Sequence, residues 1–347
     1  MAAGKLHSVL LRDDGKAVIF GKVANVMFAQ MVIRHPEKKE RYVAAAAGES
    51  FTLVLGSDGG VLFFDAAEGR LSVPSNTQYA AVAAGFKHAI VLGKDGGAGV
   101  LGKAIPPEWE KRLKLPDARF IFAAASLSIK NHFILLRDDG QAVAFGDNSK
   151  GQCDIPPLPE GRRYIHAAAG FGHSVLICDD GQAVACGDNF RGQCNCPELP
   201  EGRRYIDAAA GMELTVLLRD DGKAFVFGNT YPDKDAVPDL PDGRRYVAVA
   251  LGENHIVLLR DDGRAFATGA TGLGQCKVPA LPEGKRYTAV VAGWNHSMLL
   301  RDDGVAVAFG DNDHGHCEIP DLPQGVHYVA GDQSTDTPLS GHGGYGQ

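Results

Sequence analysis

The sequence predicts an all-β fold, a closed β-propeller of about eight blades with three to four short antiparallel strands each. Three observations predict it: an internal period near forty residues, segments too short for helices, and strands apolar on both faces. Asp-Gly pairs end at Gly15, Gly59, Gly96, Gly140, Gly181, Gly222, Gly263 and Gly304, spaced 44, 37, 44, 41, 41, 41 and 41 residues apart. A period of this length marks a repeat architecture. Apolar stretches such as HSVLIC, TVLLR, HIVLLR and SMLLR are six residues or fewer and nearly unbroken, which fits strands buried on both faces. Blades stacked against blades supply that burial.

Within a repeat the elements follow in order. The segment ending in Ala-Ala-Ala-Gly is the innermost strand, where blades converge and large side chains would collide. A Gly-x-x-His corner leads to the middle strand, which ends in the Asp-Gly hairpin, where glycine accepts the positive φ the turn demands. Ala-Val-Ala-Cys-Gly returns as the third strand. The Gly-Asp-Asn-x-x-Gly-Gln turn then leads to Val/Ile-Pro, and proline belongs on an outer edge because it cannot donate to a central ladder. Units two and three are degenerate: Phe51 replaces the histidine, and the connections MVIRHPEKKERY and AIPPEWEKRLKLPDARF are irregular. A seven-bladed ring with one unit displaced is the alternative.

The chain ends its last repeat with Val326 to Gly331 and starts at Gly4-Lys5-Leu6-His7 with the strand that would follow. This predicts that the C-terminal strand pairs with the N-terminal hairpin, making residues 1–331 one propeller domain and 332–347 a disordered tail.

Composition narrows function. The 347 residues carry a net charge of −7 with no Lys/Arg cluster, which argues against nucleic acid and anionic membrane as partners. No apolar run is long enough for a membrane span, so a soluble protein is expected; a monomer is expected as well, and the cysteine pattern that follows points to the cytoplasm. Of seven cysteines, Cys153, Cys194, Cys276 and Cys317 occupy equivalent places in different repeats, too far apart to bridge, and are read as reduced thiols.

Recurring polar groups are read as frame. His7, His88, His132, His173, His255 and His296 fall one per blade, without the convergence a metal needs, and are expected to hydrogen-bond backbone at the loop end. The Asp pairs such as Asp138/Asp139 and Asp302/Asp303 recur from blade to blade, and a catalytic pair is needed once, so they are turns. Arg12, Arg137, Arg219, Arg260 and Arg301 are expected to join them in a solvated charged rim. Gly269 to Gln275 and the Gly-Asp-Asn turns faintly resemble nucleotide and calcium loops but lack the helix and the closing Glu. No G-x-S-x-G, Walker loop, HExxH or CxxC pair is present. A non-enzymatic protein without cofactor or metal is expected.

The order A-A-G-x-x-H-S-V-L-L, Asp-Gly, A-V-A-F-G-D-N-x-x-G-Q resembles the regulator of chromosome condensation repeat family. The resemblance covers about 330 residues, and the compact GQC-x-I-P spacing is similar to its bacterial β-lactamase inhibitor propellers. It implies a propeller, usually of seven blades, and a protein partner. A small GTPase served by nucleotide exchange, or a ubiquitin-pathway protein, are the partner classes it suggests. The basic arm of the founding exchange factor and the clustered tryptophans of the family's photoreceptor have no counterpart, since only Trp109 and Trp294 are present.

Comparing repeats position by position separates frame from freedom. The two residues inside Gly-x-x-His and inside Gly-Asp-Asn-x-x-Gly-Gln vary, and alternating strands place both loops on one face. The predicted partner-binding set is Phe86, Lys87, Phe171, Phe190, Arg191, Met212, Glu213, Tyr231, Glu253, Asn254, Leu273, Trp294, Asn295 and His314, with aromatic anchors as hot spots. The opposite face, of Asp-Gly turns, is expected to be uniform. Three extra residues around Ser128-Ile129-Lys130 are expected to project above the variable face.

Overall fold

A computed structural model describes residues 1–331 except 24–25, 35–39, 66–68, 72, 74–75, 230–236 and 242. The predicted tail at 332–347 and Tyr231 lie outside the described residues. Eight antiparallel sheets follow one another along the chain. The fifth is representative: inner strand Tyr164–Ala169, middle strand His173–Cys178 and outer strand Ala183–Gly187. Sheets three to eight have three strands in this inner-middle-outer order, and the second adds a fourth, Gly69–Leu71.

Each middle strand is buried along almost its whole length, because its two faces meet the sheets on either side. In the fifth, Val175, Leu176 and Ile177 are fully buried, Leu176 toward the fourth sheet and Val175 and Ile177 toward the sixth. Inner strands read Ala-Ala-Ala because neighbouring inner strands pack directly on each other. The Asp-Gly hairpins behave as the sequence predicts, with Gly181 at φ 86° and its N–H returned to the Cys178 carbonyl. Proline segments after the Gly-Gln turns form no edge strand. They are fastened by the tyrosine that opens the next inner strand, whose hydroxyl donates to a proline carbonyl, as in Tyr205 to Pro197 at 3.0 Å and Tyr328 to Pro320 at 2.8 Å.

The irregular connection after the third sheet holds a helix, Pro107–Leu113, that takes the place of an outer element. Proline stands in its first turn with Glu108 and Glu110, and Lys111 and Arg112 lie in its last, which suits the helix dipole. Its buried residues are Trp109 and Leu113. The Trp109 ring lies 5.6 Å from Phe133 and 4.9 Å from His88, sealing the seam between the third and fourth sheets.

The two chain ends meet, in a manner the sequence reading foresaw by half. The C-terminal strand is only Tyr328–Val329, pairing with Arg12 and Leu11. Ala2–Ala3 continue along the same edge, opposite Val9 and Ser8, and the Met1 amino group donates to the Ala330 carbonyl at 2.9 Å. Both termini therefore build the first inner strand, and Ala2-Ala3-Gly4 is the first copy of the Ala-Ala-Gly signal. That strand packs on the inner strands of both the second and the eighth sheets. One axial cavity of about 90 Å³ is lined by inner-strand residues of all eight sheets, among them Ala3, Ala46, Ala84, Ala125, Ala169 and Ala210.

Tyr328 is 3 % exposed and packs with Leu10, Phe20 and Met298 across this junction. Removing a buried aromatic side chain typically costs about 3–5 kcal/mol. Tyr328→Ala is expected to lower urea stability by that order in a single cooperative transition; an unchanged midpoint would show that the ends do not carry the fold.

Candidate functional site

The face carrying the Gly-x-x-His corners is built on a repeated buried link between blades. The rings of His7, His173, His255 and His296 pack on the glycine three residues before them, so closely that a Cβ on Gly252 would lie 2.1 Å from His255 Cε1. Nε2 then reaches the residue after the next blade's histidine position. The pairs are His7 to Thr52 (3.0 Å), His132 to Ser174 (3.0 Å), His173 to Thr215 (2.8 Å), His255 to Ser297 (2.7 Å) and His296 to Ser8 (2.9 Å). The hydroxyls of Ser174, Thr215 and Ser8 donate onward to the carbonyls of Gln152, Gln193 and His316. A hydroxyl has one proton, so the imidazole donates to it, and the ring is the neutral Nε2–H form.

This corrects the expectation that the histidines bond backbone: among the six, His88 does so, through the Lys103 carbonyl at 2.7 Å. In its case Asn131, which follows the three-residue insertion, supports Nδ1 at 3.1 Å. Where the histidine is replaced, the partner is apolar too, Phe51 being followed by Ala89 and Leu214 by Ile256. The His296–Ser8 link joins the last blade to the first.

The second loop of each blade is fixed from within. In the fourth, Asn148 Oδ1 accepts the Cys153 N–H, Gln152 Oε1 accepts the Lys150 N–H, and the Cys153 thiol donates to the Asp147 carbonyl at 3.3 Å. The same thiol contact recurs at Cys194, Cys276 and Cys317, and burial pushes the Cys153 and Cys317 thiols up to about 12. The Asp147 N–H donates to the Asn131 carbonyl, which ties this loop to the Gly-x-x-His corner, so both variable loops lie on one face. On the other face, Arg219, Arg260 and Arg301 each form a two-pronged pair with the second Asp of their own turn, at 2.5–3.0 Å. These arginines are largely buried, with 11–19 % of their side chains exposed, where a solvated rim was expected.

The predicted partner-binding residues divide into two groups. Phe86, Phe171 and Trp294 turn inward over the channel axis. Phe86 is 3 % exposed and stacks on Trp294 at 5.5 Å between ring centroids, and Phe171 lies 5.9 Å from the same indole. Phe86 was expected to be presented to a partner; its ring is instead covered by Trp294, because its corner position, like those of Phe171 and Trp294, turns toward the axis. Glu253 is half-buried beside them, and its N–H donates to the Trp294 carbonyl.

The others face outward. Phe190 is 85 % exposed with the Arg191 guanidinium 5.4 Å from its ring, Leu273 is 47 % exposed and Met212 37 %. Glu213 pairs with Arg191 at 3.5 Å and accepts from Asn229 at 2.7 Å. Lys87 and Asn254 are exposed, while Asn295 and His314 are half-buried. Ile129, in the insertion, is 59 % exposed, and Leu127 beside it lines the axial cavity.

Sequence reasoning did not select Lys5, Glu49 and Leu127. They stand at the same first variable position as Phe86, Phe171, Met212, Glu253 and Trp294, and reading that position around all eight repeats would have found the ring at the channel mouth. The opposite mouth is also less uniform than expected, with Ile121 and Ile165 52 % exposed and Ile206 37 % exposed on three successive blades. Next to them His166 and Asp207 form a buried contact at 3.3 Å, at a place most blades fill with alanine; burial raises the Asp207 carboxyl.

A family model, the regulator of chromosome condensation (RCC1) repeat, matches residues 164–193 and 287–315. The two matches fall on the fifth and eighth repeats. The matched spans run from the opening tyrosine through the Gly-x-x-His corner to the Gly-Asp-Asn loop, which is the unit that the histidine links organise. No sequence among the curated proteins matches this chain.

Among solved structures, human WBSCR16 is similar at 19 % identity and a TM-score of 0.55, over 73 % of this chain and 81 % of that one. The CRINKLY WD40 ectodomain of the Arabidopsis thaliana receptor kinase ACR4 is similar at 16 % identity and a TM-score of 0.54, over 78 % and 95 %. The C-terminal WD40 domain of Sif2 is similar at 9 % identity and a TM-score of 0.55, over 92 % and 96 %. These likenesses show a propeller fold. Among the described residues no helix is long and apolar enough to cross a membrane, and no three His, Cys, Asp or Glu side chains converge as a metal site.

Burial holds His7, His173 and His255 down at about 4 and His132 at about 3, with the His316 charge adding to the effect on His7. Their folded values lie below the unfolded 6.5, so the unfolded chain binds more protons as pH falls. Their contribution to stability is complete above about pH 6.5 and is lost from there down to about 4, at up to about 1.4 kcal/mol per pH unit per histidine. Urea midpoints are expected to fall steeply between pH 6.5 and 5, before most carboxylates titrate; a flat profile there would show that the buried rings do not link the blades.

Proposed function

We propose that the eight blades close into one ring and that this ring is a non-enzymatic binding module for another protein, working through its variable-loop face. The observation that carries the reading is the exposed apolar group on successive blades of that face, Ile129, Phe190, Met212 and Leu273, Phe190 being 85 % exposed with Arg191 against it. Large apolar side chains held in water on otherwise rigid loops are favourable only when something covers them. Aromatic and arginine side chains are also the usual anchors of interfaces. The loops beneath are tied by internal hydrogen bonds from Asn148, Asn189 and Gln193, so little ordering is required on binding. Mixed charge around the patch, Lys150 near Asp188 and Arg191 near Glu213, gives a partner directional contacts at the rim.

Affinity capture from native lysate tests this, comparing the wild type with a Phe190→Ala/Leu273→Ala double variant of equal melting temperature and with an Ile165→Ala/Ile206→Ala variant of the opposite mouth. A protein retained by the wild type and by the Ile variant but lost by the Phe190/Leu273 variant is the expected result, with about 2 kcal/mol or more of binding removed. Retention by the Phe190/Leu273 variant would overturn the assignment of the face.

A further inference from the structure

The channel mouth on the loop face has the composition of a site for an organic cation. Its residues come from blades far apart in sequence: Lys5 from the first, Glu49 from the second, Phe86 from the third, Phe171 from the fifth, Glu253 from the seventh and Trp294 from the eighth. The Lys5 ammonium lies 4.4 Å from the Trp294 ring and 5.0 Å from the Phe86 ring, and it donates to Glu49 Oε1 at 2.8 Å. Phe171 extends the aromatic wall, its ring centroid 5.9 Å from that of the same indole. The Lys5 charge also acts on Glu253, whose carboxyl is otherwise raised by burial. Trp294 Nε1 is buried with no hydrogen-bond partner. Lys5 and Glu49 keep 26 % and 31 % of their side chains exposed, so the ammonium reaches solvent by rotation of its stem alone.

We propose that this mouth is an ammonium cage for a lysine side chain, unmodified or methylated, presented by a partner, and that Lys5 fills it in the free protein. Aromatic faces attract a cation through their quadrupole, and the attraction strengthens with desolvation and for weakly hydrated methylated ammonium. Two carboxylates complete the cage by compensating the charge. Lys5 acts as a tethered competitor, so an incoming lysine must displace a group held at high local concentration. The cage sits inside the ring of outward apolar residues, so it deepens the loop-face reading by giving the chemistry of the partner's anchor.

The test needs no partner. The indole N–H signal of Trp294 is followed by NMR during titration with Nε-trimethyl-lysine amide, using the wild type, Lys5→Gln and Lys5→Gln/Trp294→Ala. N-acetyl-norleucine amide, which carries no charge, is titrated alongside. Saturable shifts in Lys5→Gln at millimolar probe are expected, about tenfold weaker in the wild type through competition by the tethered side chain. The norleucine probe should leave the signal unmoved, and the double variant should show no binding by calorimetry. Equal response to the neutral probe, or no response in Lys5→Gln, would overturn the cage. Should Lys5→Gln not fold, tetramethylammonium is titrated into the wild type, where absence of a saturable Trp294 shift would overturn it equally. Retention of protein capture by the Phe190→Ala/Leu273→Ala variant, with cage binding intact, would sink the loop-face reading alone.

Discussion

A buried imidazole that must donate its one proton across a blade boundary is the constraint on which the rest of this structure depends. The ring is neutral because burial disfavours its charged form, and a neutral Nε2–H inside a protein needs an acceptor. That acceptor is the next blade's hydroxyl, which in turn needs a carbonyl, supplied by the first blade's Gly-Gln turn. Glycine precedes the corner because the ring lies on its Cα, and the alanines of the inner strand allow the blades close enough for the link to span them. Repetition of one such unit fixes blade spacing, loop positions and the place where the ends must meet.

Much of this was legible in the sequence. Eight Asp-Gly hairpins, short apolar strands and Ala-Ala-Gly inner strands mark the blades, because hairpin geometry and close packing are local demands on residue type. The link is written there as well: a hydroxyl follows the histidine position after His7, His132, His173, His255 and His296, and apolar residues follow Phe51 and Leu214. Its last member, His296 with Ser8, already joins the two ends of the chain. The helix Pro107–Leu113 was passed over because about two turns of amphipathic sequence between prolines reads as loop. The divided inner strand was missed because two residues, Ala2 and Ala3, carry too little pattern to be recognised as strand.

The site was legible in part. Variability separated loop from frame, and it selected Phe190, Met212 and Leu273, which the structure leaves exposed. It gave no direction to the side chains. The first variable residues of blades three, five and eight point to the axis and come within stacking distance there, while Met212 at the same position faces outward. Convergence at an axis is a property of the ring and has no trace in linear spacing. The consequence is a face with two zones, an inner aromatic and charged mouth and an outer set of apolar residues, on a frame whose opposite side carries mostly self-paired Arg-Asp turns.

Nitrogen-15 NMR of the imidazoles, read as a function of pH, tests the account most directly, because it reports tautomer and charge ring by ring. The account predicts that His7, His132, His173, His255 and His296 are neutral, with the proton on Nε2, from pH 7 down to about 5. Titration of these rings near 6.5, or the proton on Nδ1, would contradict the link and the ring built on it.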